Sequence, residues 1–379
     1  MSEERVGQIS PGTTAVTDGK RYSRTKLLLG LASASVSFLV VATILVSGYA
    51  RTLKAWAISL WPNEYGSAVL FLAALGVIDS VATLPISFFS SYTVEHRYNL
   101  SNQTLGRWTR ERLKGILVGA PFMLAVVVVL YYCLKEYGNW WWLPVSIVLT
   151  VFSVVLARIV PTFIMPLFYK FRPLEEGPLK ERITTLCTHA GVRISGIFSF
   201  DMSKNTKKAN AGFTGIGASK RIIIGDTLLK DFSGEEIETV FAHELGHYKH
   251  RHLLIGMVVG SVSTFAGLYI TSKLYAASLG WFGFTEITDI AALPLLGVWL
   301  SLFGVVTAPL GNMLSRKHER EADAFAVFTT RKKDAFLSAL RKLATMNLAD
   351  PAPHPVVEFL FYSHPSISRR LAMVESLKV

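Results

Sequence analysis

Six long apolar blocks, separated by polar stretches, dominate the pattern of this 379-residue chain. A helix needs about 20 apolar residues to cross the hydrocarbon core of a bilayer, and each block has at least that length. The blocks are 27–50, 66–92, 115–134, 140–169, 253–272 and 290–314. The pattern therefore predicts a mainly α fold, a polytopic α-helical membrane protein with about six spans.

Two polar segments lie outside these blocks, at 170–252 and at 315–379. In the first segment, helical periodicity over 179–190 predicts an α-helix. Runs of β-branched and aromatic residues at 197–200 and 221–224, with glycines nearby, predict a small β-hairpin or sheet. The polar segments are thus expected to form a small α+β domain beside the membrane part.

A helix start is marked by Ser233 and Glu236, which match a capping box. The helix that begins there is predicted to run through 237–247. The second polar segment predicts a helix up to Met346, then a loop through 351–355 and a last helical run.

Composition supports the membrane assignment, because hydrophobic residues make up 51% and charged residues only 17% of the chain. The net charge of +12 does not indicate a nucleic-acid partner, since the basic residues lie mostly beside apolar blocks and no nucleic-acid-binding motif occurs. The two cysteines, Cys133 and Cys187, form neither a disulfide framework nor a CxxC metal pattern, so we interpret them as buried thiols.

The distribution of basic residues predicts the orientation in the membrane. The polar residues 1–26 and the loop after the second block are rich in Lys and Arg, whereas the loops after the first, third and fifth blocks hold one or two. The positive-inside rule then predicts both termini and the polar segments on the cytoplasmic side. Residues 1–26 are too long and mixed for the start of a signal peptide, so the first block is expected to be a retained span.

The stretch HELGH at 243–247 is the clearest chemical motif. His243 and His247 are four apart on the predicted helix, so they share one face and can bind one Zn²⁺. Glu244 can act as the general base toward an attacking water. Ala242 and Gly246 are small, which we interpret as allowing a metal or substrate to approach closely.

A catalytic zinc needs a third protein ligand, and the best candidate is Glu319. Asp323 lies four residues further on, so on a helix both carboxylates share a face, and Asp323 can orient a ligating histidine. A solvated charge run is the alternative reading. Alanines around Phe325 make this helix amphipathic, which favours a buried face.

Other polar residues are weaker candidates. His250 and His252 could be alternative ligands, but a solvated or interfacial role is favoured, and His318 is expected to point away from the ligand face. Asp79 and Arg158 lie within apolar blocks and are by default functional hypotheses, either in a polar interior or paired with each other.

These motifs together resemble the membrane-embedded zinc peptidases of the M48 class, most closely the Ste24-type CAAX prenyl proteases. The matching stretches are HELGH at 243–247, SRKHEREADAFA at 315–326, NAGFTG at 210–215, KRIIIGDTLL at 220–229, YSHPSISRRL at 362–371 and HRYNLSNQT at 96–104. The resemblance covers the chain from about the second block to the C-terminus. It implies six or seven spans that enclose a water-filled chamber.

The resemblance also implies roles for single residues. His243, His247 and Glu319 correspond to the zinc ligands, Glu244 to the general base and Asp323 to a carboxylate behind the ligands.

Further implied roles concern the substrate. Asn210 and Ala211 correspond to an edge segment that holds the substrate backbone by strand addition. His364 corresponds to a histidine that stabilises the oxyanion, and Arg370 to an arginine near it. Without the resemblance, His364 would be an ordinary loop histidine beside a proline.

The predicted organisation has five parts in chain order. They are a cytoplasmic tail (1–26), a membrane domain of four spans (27–169), the peptidase domain with the HExxH helix (170–252), two further spans (253–314) and the C-terminal part of the peptidase domain (315–379).

The predicted function is that of an integral-membrane zinc metalloendopeptidase with one zinc per chain. The resemblance implies C-terminal processing of prenylated CAAX proteins or peptides, with membrane lipid as the surrounding partner. One alternative is a membrane quality-control protease of the HtpX type. Another is a transporter or receptor with a structural zinc site, which would need four protein ligands and no general base.

Overall fold

The computed structural model describes residues 13–215 and 220–378, with side chains from residue 16 onward. Residues 1–12 of the predicted tail therefore lie outside the described part. In the N-terminal half the helices are α1 (Thr13–Val46), α2 (Tyr49–Leu60), α3 (Glu64–Phe88), α4 (Val94–Arg97), α5 (Leu105–Tyr137), α6 (Trp142–Ile159) and α7 (Met165–Phe168). Single π-helical turns join α3 to α4 and α6 to α7 without a loop.

The C-terminal half holds eight more helices among the described residues. They are α8 (Pro178–His189), α9 (Asp226–Asp231), α10 (Gly234–Lys249), α11 (His252–Ser278), α12 (Leu293–Thr330), α13 (Lys333–Met346), α14 (Pro355–Phe361) and α15 (Ile367–Ser376). Helix α8 confirms the helix predicted over 179–190.

Six helical segments of the described chain are long and apolar enough to cross a membrane, which confirms the expected number of spans. Their ends differ from the apolar blocks, because polar residues continue a helix without leaving a hydropathy signal. Helix α1 begins at Thr13, within the predicted tail, α5 begins at Leu105, and α12 continues to Thr330. The 12-residue helix α2 was not predicted. It follows a turn at Gly48, where φ is 72°.

The apolar core of the membrane part lies at the end of the bundle remote from the polar segments. It joins the C-terminal ends of α1, α5 and α11 to α2 and the N-terminal ends of α3, α6 and α12. Its largest fully buried side chains are Phe71, Leu134, Trp141, Tyr275 and Leu296. Side chains on the flanks of the bundle are exposed and apolar, as expected of surfaces that face lipid.

The sheet has four strands, β1 (Phe171–Pro173), β2 (Ile197–Phe200), β3 (Ala211–Thr214) and β4 (Arg221–Gly225), in the order β1-β2-β4-β3. The two predicted runs form β2 and β4, which pair in parallel, so the sheet is confirmed and a hairpin between them is wrong. Strand β3 pairs antiparallel with β4 and lies at the edge of the sheet.

Helix α10 begins with the predicted capping box, in which Ser233 accepts from the Glu236 amide and Glu236 accepts from the Ser233 amide. Helix α10 packs directly on α12. A Cβ atom at Gly246 would lie 3.0 Å from Ala322 Cα and 3.1 Å from Phe325 Cβ, closer than most Cβ contacts in proteins, so glycine favours this close approach of the helices. The small residue therefore serves contact between two helices, not the approach of a metal or substrate that the sequence suggested.

The two polar segments share one hydrophobic core, whose buried members include Ile183, Leu228, Leu245 and Phe336. The predicted helix up to Met346 is interrupted, because α12 ends at a left-handed Arg331 (φ 55°) before α13 begins. Both cysteines are buried and free, as predicted. Burial raises the pKa of the Cys187 thiol to about 11, which makes it inert.

Candidate active site

The imidazoles of His243 and His247 meet on one face of α10. Their Nε2 atoms lie 3.2 Å apart, as the four-residue spacing predicts. The capping box fixes the start of α10, and its buried residues hold the helix against the domain core. The His243 side chain is buried, whereas His247 is half-buried at the edge of a cavity.

Glu319 of α12 lies opposite both imidazoles. Its Oε1 is 3.3 Å from His247 Nε2, and its Oε2 is 3.5 Å from His243 Nε2. One ligand atom from each of the three residues lies within 4.8 Å of the others, which is a candidate metal site. Helix α12 extends from the membrane part into the α+β domain, and it thereby brings the predicted third ligand, Glu319, to the two histidines.

The chemistry of these donors fits zinc. Glu319 Oε2 is buried and has no hydrogen-bond partner within the described ranges 13–215 and 220–378. A buried carboxylate oxygen without a partner is costly unless a cation satisfies it. Two imidazole nitrogens and one carboxylate oxygen are a known donor set of catalytic zinc, which leaves one position open.

Asp323 lies behind His243, as the spacing from Glu319 predicted. Asp323 Oδ1 is 2.8 Å from His243 Nδ1, on the opposite side of the ring from Glu319. Burial opposes the charged form of His243, but the neighbouring Asp323 carboxylate outweighs it and raises the pKa of the imidazole. Asp323 is 0% exposed and binds Arg370 of α15 through both carboxylate oxygens.

His364 reaches the same centre from the loop between α14 and α15. Its Nε2 lies 3.3 Å from Glu319 Oε1, and its side chain is 60% exposed, so it borders the cavity and not the core. Ser363 Oγ lies 2.9 Å from His364 Nδ1. The structure therefore brings the predicted loop histidine next to the candidate metal site.

Two buried side chains hold this loop, and sequence reasoning missed both. The Arg316 guanidinium donates to the carbonyls of Glu358 and Tyr362, at 3.0 Å and 2.6 Å. The Glu358 carboxylate accepts from the Ser366 amide at 3.3 Å. Arg316 lies three residues before Glu319, within a charged run whose members look alike in the sequence.

A cavity of about 580 Å³ contains the candidate site. Glu244 and the two histidines line it, and Asn210 and Ala211 also form part of its wall. The edge strand β3 begins at Ala211, so an extended chain in the cavity can pair with it. Asn347, which the sequence did not indicate, bonds the amide and carbonyl of Ala209 and so fixes the approach to this strand.

The weaker candidates differ in their surroundings. His252 is buried and contacts His247, which contradicts the predicted solvated or interfacial role, whereas His250 is exposed. The His318 ring stacks on the His252 ring. Asp79 Oδ1 is buried without a hydrogen-bond partner in the described chain. Among the described residues, no ion pair joins Asp79 to Arg158.

Comparison with known proteins gives matches over nearly the whole chain. The model of peptidase family M48 matches residues 173–378. A second model, described as the CAAX prenyl protease N-terminal part with five membrane helices, matches residues 13–170. Within 13–170 the structure has four helices that meet the length and hydropathy of a span, and α2 is shorter.

Individual relatives agree with these models. The Bacillus subtilis protein described as uncharacterized metalloprotease YhfN is 31% identical over 371 residues, which cover 97% of this chain and 86% of that protein. CAAX prenyl protease 1 of Saccharomyces cerevisiae is 30% identical over 83% of this chain and 73% of its own length. The crystal structure of S. mikatae Ste24p superimposes with a TM-score of 0.86 at 25% identity, over 99% of this chain and 93% of that one.

Proposed function

The chain belongs to peptidase family M48, and from that premise we propose that it cleaves prenylated CAAX-type proteins or peptides near their C-terminus. It is an integral-membrane, zinc-dependent metalloprotease. The observation that carries the proposal is the meeting of His243, His247 and Glu319 in a cavity bordered by an open strand edge. The membrane half resembles the N-terminal part of CAAX prenyl proteases, which supports the substrate class.

We assign the zinc to His243, His247 and Glu319. When bound, zinc supplies Lewis-acid chemistry, which acidifies water and polarises a peptide carbonyl. Glu244 lies beside the histidines in the cavity, where its carboxylate takes the proton of the attacking water and returns it to the leaving amine. Asp323 holds the His243 ring through Nδ1 and keeps Nε2 directed at the site.

His364 donates from Nε2 toward the oxygen on which negative charge develops, since it is exposed to the cavity beside Glu319. Arg370 was predicted near the oxyanion. Its guanidinium is directed at Asp323 and lies 3.7 Å from Glu319 Oε2, so we assign it a positioning role. The substrate backbone pairs with the edge at Asn210 and Ala211, which aligns the scissile bond in the cavity.

We propose that the cavity and both termini face the cytoplasm, where the C-termini of prenylated proteins are processed. The basic residues of the loops support this orientation through the positive-inside rule. A prenyl chain needs an apolar surrounding. Helices α11 and α12 run between the membrane part and the peptidase domain, which supports contact of the prenyl chain with the membrane beside the cavity.

Paired peptides test the substrate class. The purified chain is incubated with a farnesylated C-terminal CAAX peptide and with the same peptide lacking the lipid, and mass spectrometry locates the cleaved bond. We expect cleavage of the farnesylated peptide near its C-terminus and much weaker cleavage of the unmodified one. Degradation of a misfolded membrane protein, with no action on the farnesylated peptide, would favour the HtpX-type alternative.

A further inference from the structure

The junction between α10 and α11 brings a histidine behind the candidate zinc ligand His247. On an unbroken helix, residues five apart point about 140° away from each other, so His252 could not face His247. The helix is broken at Arg251, which adopts the left-handed conformation with φ 57°. His252 then turns back toward His247 and is buried.

Two hydrogen bonds pass through the His252 ring. His252 Nδ1 lies 3.0 Å from His247 Nδ1, and His252 Nε2 lies 2.9 Å from the Glu321 carboxylate on α12. The His247 Nδ1 that contacts His252 is on the other side of the ring from His247 Nε2, which faces His243 and Glu319. The His252 ring thus bridges a carboxylate and a candidate ligand.

The contacts determine the tautomers. A histidine that offers Nε2 to a metal carries its proton on Nδ1. His247 therefore donates from Nδ1, and His252 accepts at its own Nδ1. The proton of neutral His252 must then lie on Nε2, where the Glu321 carboxylate accepts it. The two hydrogen bonds are therefore consistent with each other: His247 donates to His252, and His252 donates to Glu321.

Ring packing holds His252 in the plane that these bonds need. The His318 ring lies 3.9 Å from the His252 ring, with 9° between their planes. Histidine ligands of zinc commonly donate their second nitrogen to an outer group, which fixes their orientation. Behind His243, the Asp323 carboxylate lies in the corresponding place, 2.8 Å from Nδ1.

We propose that His252 and Glu321 form a positioning relay that fixes the ring and tautomer of His247 and thereby tightens zinc binding. The proposal rests on the assignment of His247 as a zinc ligand. It adds a role that the sequence did not indicate, because only the break at Arg251 brings His252 into contact. The relay touches no substrate, so its effect is expected on the metal before any effect on cleavage.

Zinc affinity of the purified full-length protein in detergent, measured by competition with a zinc-chelating indicator, tests the relay without any substrate. His252→Phe keeps a stacking ring but removes both nitrogens, and we expect affinity to fall about 10- to 100-fold. His252→Asn loses the ring but places an amide oxygen near the position of Nδ1, where it can accept from His247. We therefore expect His252→Asn to bind zinc more tightly than His252→Phe.

Comparing the zinc affinities of His252→Phe and His252→Asn distinguishes a hydrogen-bonding role of His252 from a packing role. If the ring only fills space, His252→Phe will bind zinc as tightly as the unmodified chain or more tightly than His252→Asn, and the relay is wrong. His189→Phe is the matched control, because His189 is exposed on α8 and is no part of the candidate zinc site. An equal loss in His189→Phe would also contradict the relay.

Two further variants complete the test. Glu321 is 37% exposed at its side chain, so Glu321→Ala should fold even if His252→Phe does not. It is expected to lower zinc affinity several-fold, and unchanged affinity would overturn the proposal. His247→Ala tests the ligand assignment itself. If His247→Ala retains zinc, the assignment of His247 as a zinc ligand is wrong. If His247→Ala loses zinc while the His252 and Glu321 variants bind it normally, the ligand assignment stands and only the relay is wrong.

Discussion

The Arg370 guanidinium binds Asp323 through two parallel hydrogen bonds, from Nε to Oδ2 at 2.9 Å and from Nη2 to Oδ1 at 2.5 Å. Arg370 belongs to α15 and Asp323 to α12, so this pair ties the end of the chain to the helix that carries Glu319. Arg370 is 12% exposed at its side chain, and Asp323 is 0% exposed. The pair therefore links the stability of the domain to the geometry of the metal site.

Loss of Arg370 should destabilise the domain. Arg370→Ala leaves Asp323 buried without its cation, which typically costs about 3–5 kcal/mol. Arg370→Lys keeps the charge but loses the paired bonds, so we expect an intermediate effect. Thermal unfolding of the metal-free protein measures both. Arg193→Ala is the control, because Arg193 is an exposed arginine outside the candidate site. Equal stability of Arg370→Ala and the control would contradict the role of the pair.

The contact between α10 and α12 should not tolerate a larger residue at Gly246. Gly246→Ala places a Cβ atom 3.0 Å from Ala322 Cα, and overpacking of this kind costs about 1–3 kcal/mol. Because the contact also sets the distance from the histidines to Glu319, zinc affinity should fall as well. The measurements are the midpoint of thermal unfolding and zinc affinity.

Gly234→Ala is the matched control on the same helix, since a Cβ atom there meets no other atom within 4 Å. We expect it to leave zinc affinity unchanged and to preserve stability. If both glycine variants behave alike, close packing at Gly246 is not required.

Glu236 should make stability depend on pH in the acid range. Burial opposes its charged form, but hydrogen bonds from Lys342 and Ser338 outweigh this and lower the pKa of the carboxyl. The stabilisation is therefore complete above the unfolded pKa, at about 4.3, and is lost as pH falls through the lower folded value. Thermal midpoints of the metal-free protein between neutral and acid pH measure this loss.

In Glu236→Gln the midpoint at neutral pH should be lower than in the unmodified chain, and the difference should shrink as the pH falls. The exposed Glu181 of α8 provides the control substitution Glu181→Gln. A difference that stays constant with pH would rule out the proposed charge interaction.

His364 should act on turnover and not on metal binding. Loss of a group that stabilises an oxyanion lowers kcat by about 10²–10³. We therefore expect His364→Ala to reduce kcat by this factor, with little change in KM and with unchanged zinc content. Steady-state kinetics and zinc analysis measure these quantities. His189→Ala, at an exposed position on α8, is the control. Loss of zinc from His364→Ala would instead assign the histidine to the metal.

The sequence predicted those features that depend on local spacing. The four-residue intervals of His243 to His247 and of Glu319 to Asp323 define helix faces, and both faces meet in the structure. The apolar blocks predicted the spans because hydrocarbon thickness sets their length. The capping box at Ser233 is equally local.

Apart from the approach of Glu319 to the two histidines, tertiary contacts at the site were not predicted from the residues alone. His252 reaches His247 only because the helix breaks at Arg251, a position with no glycine or proline to mark it. Arg316 reaches the His364 loop across 46 residues, to the carbonyl of Tyr362, and nothing in the sequence distinguishes it from neighbouring charges. The position of His364 was expected only through family resemblance.

The Glu244→Gln variant tests the central assignment most directly. Cleavage of the farnesylated CAAX peptide and the ratio of zinc to protein are measured together for this variant and the unmodified chain. We expect one zinc per chain in both proteins, and a fall in kcat of about 10²–10⁴ in Glu244→Gln, because the general base is lost while the ligands remain. Full activity of Glu244→Gln with zinc bound would contradict the account.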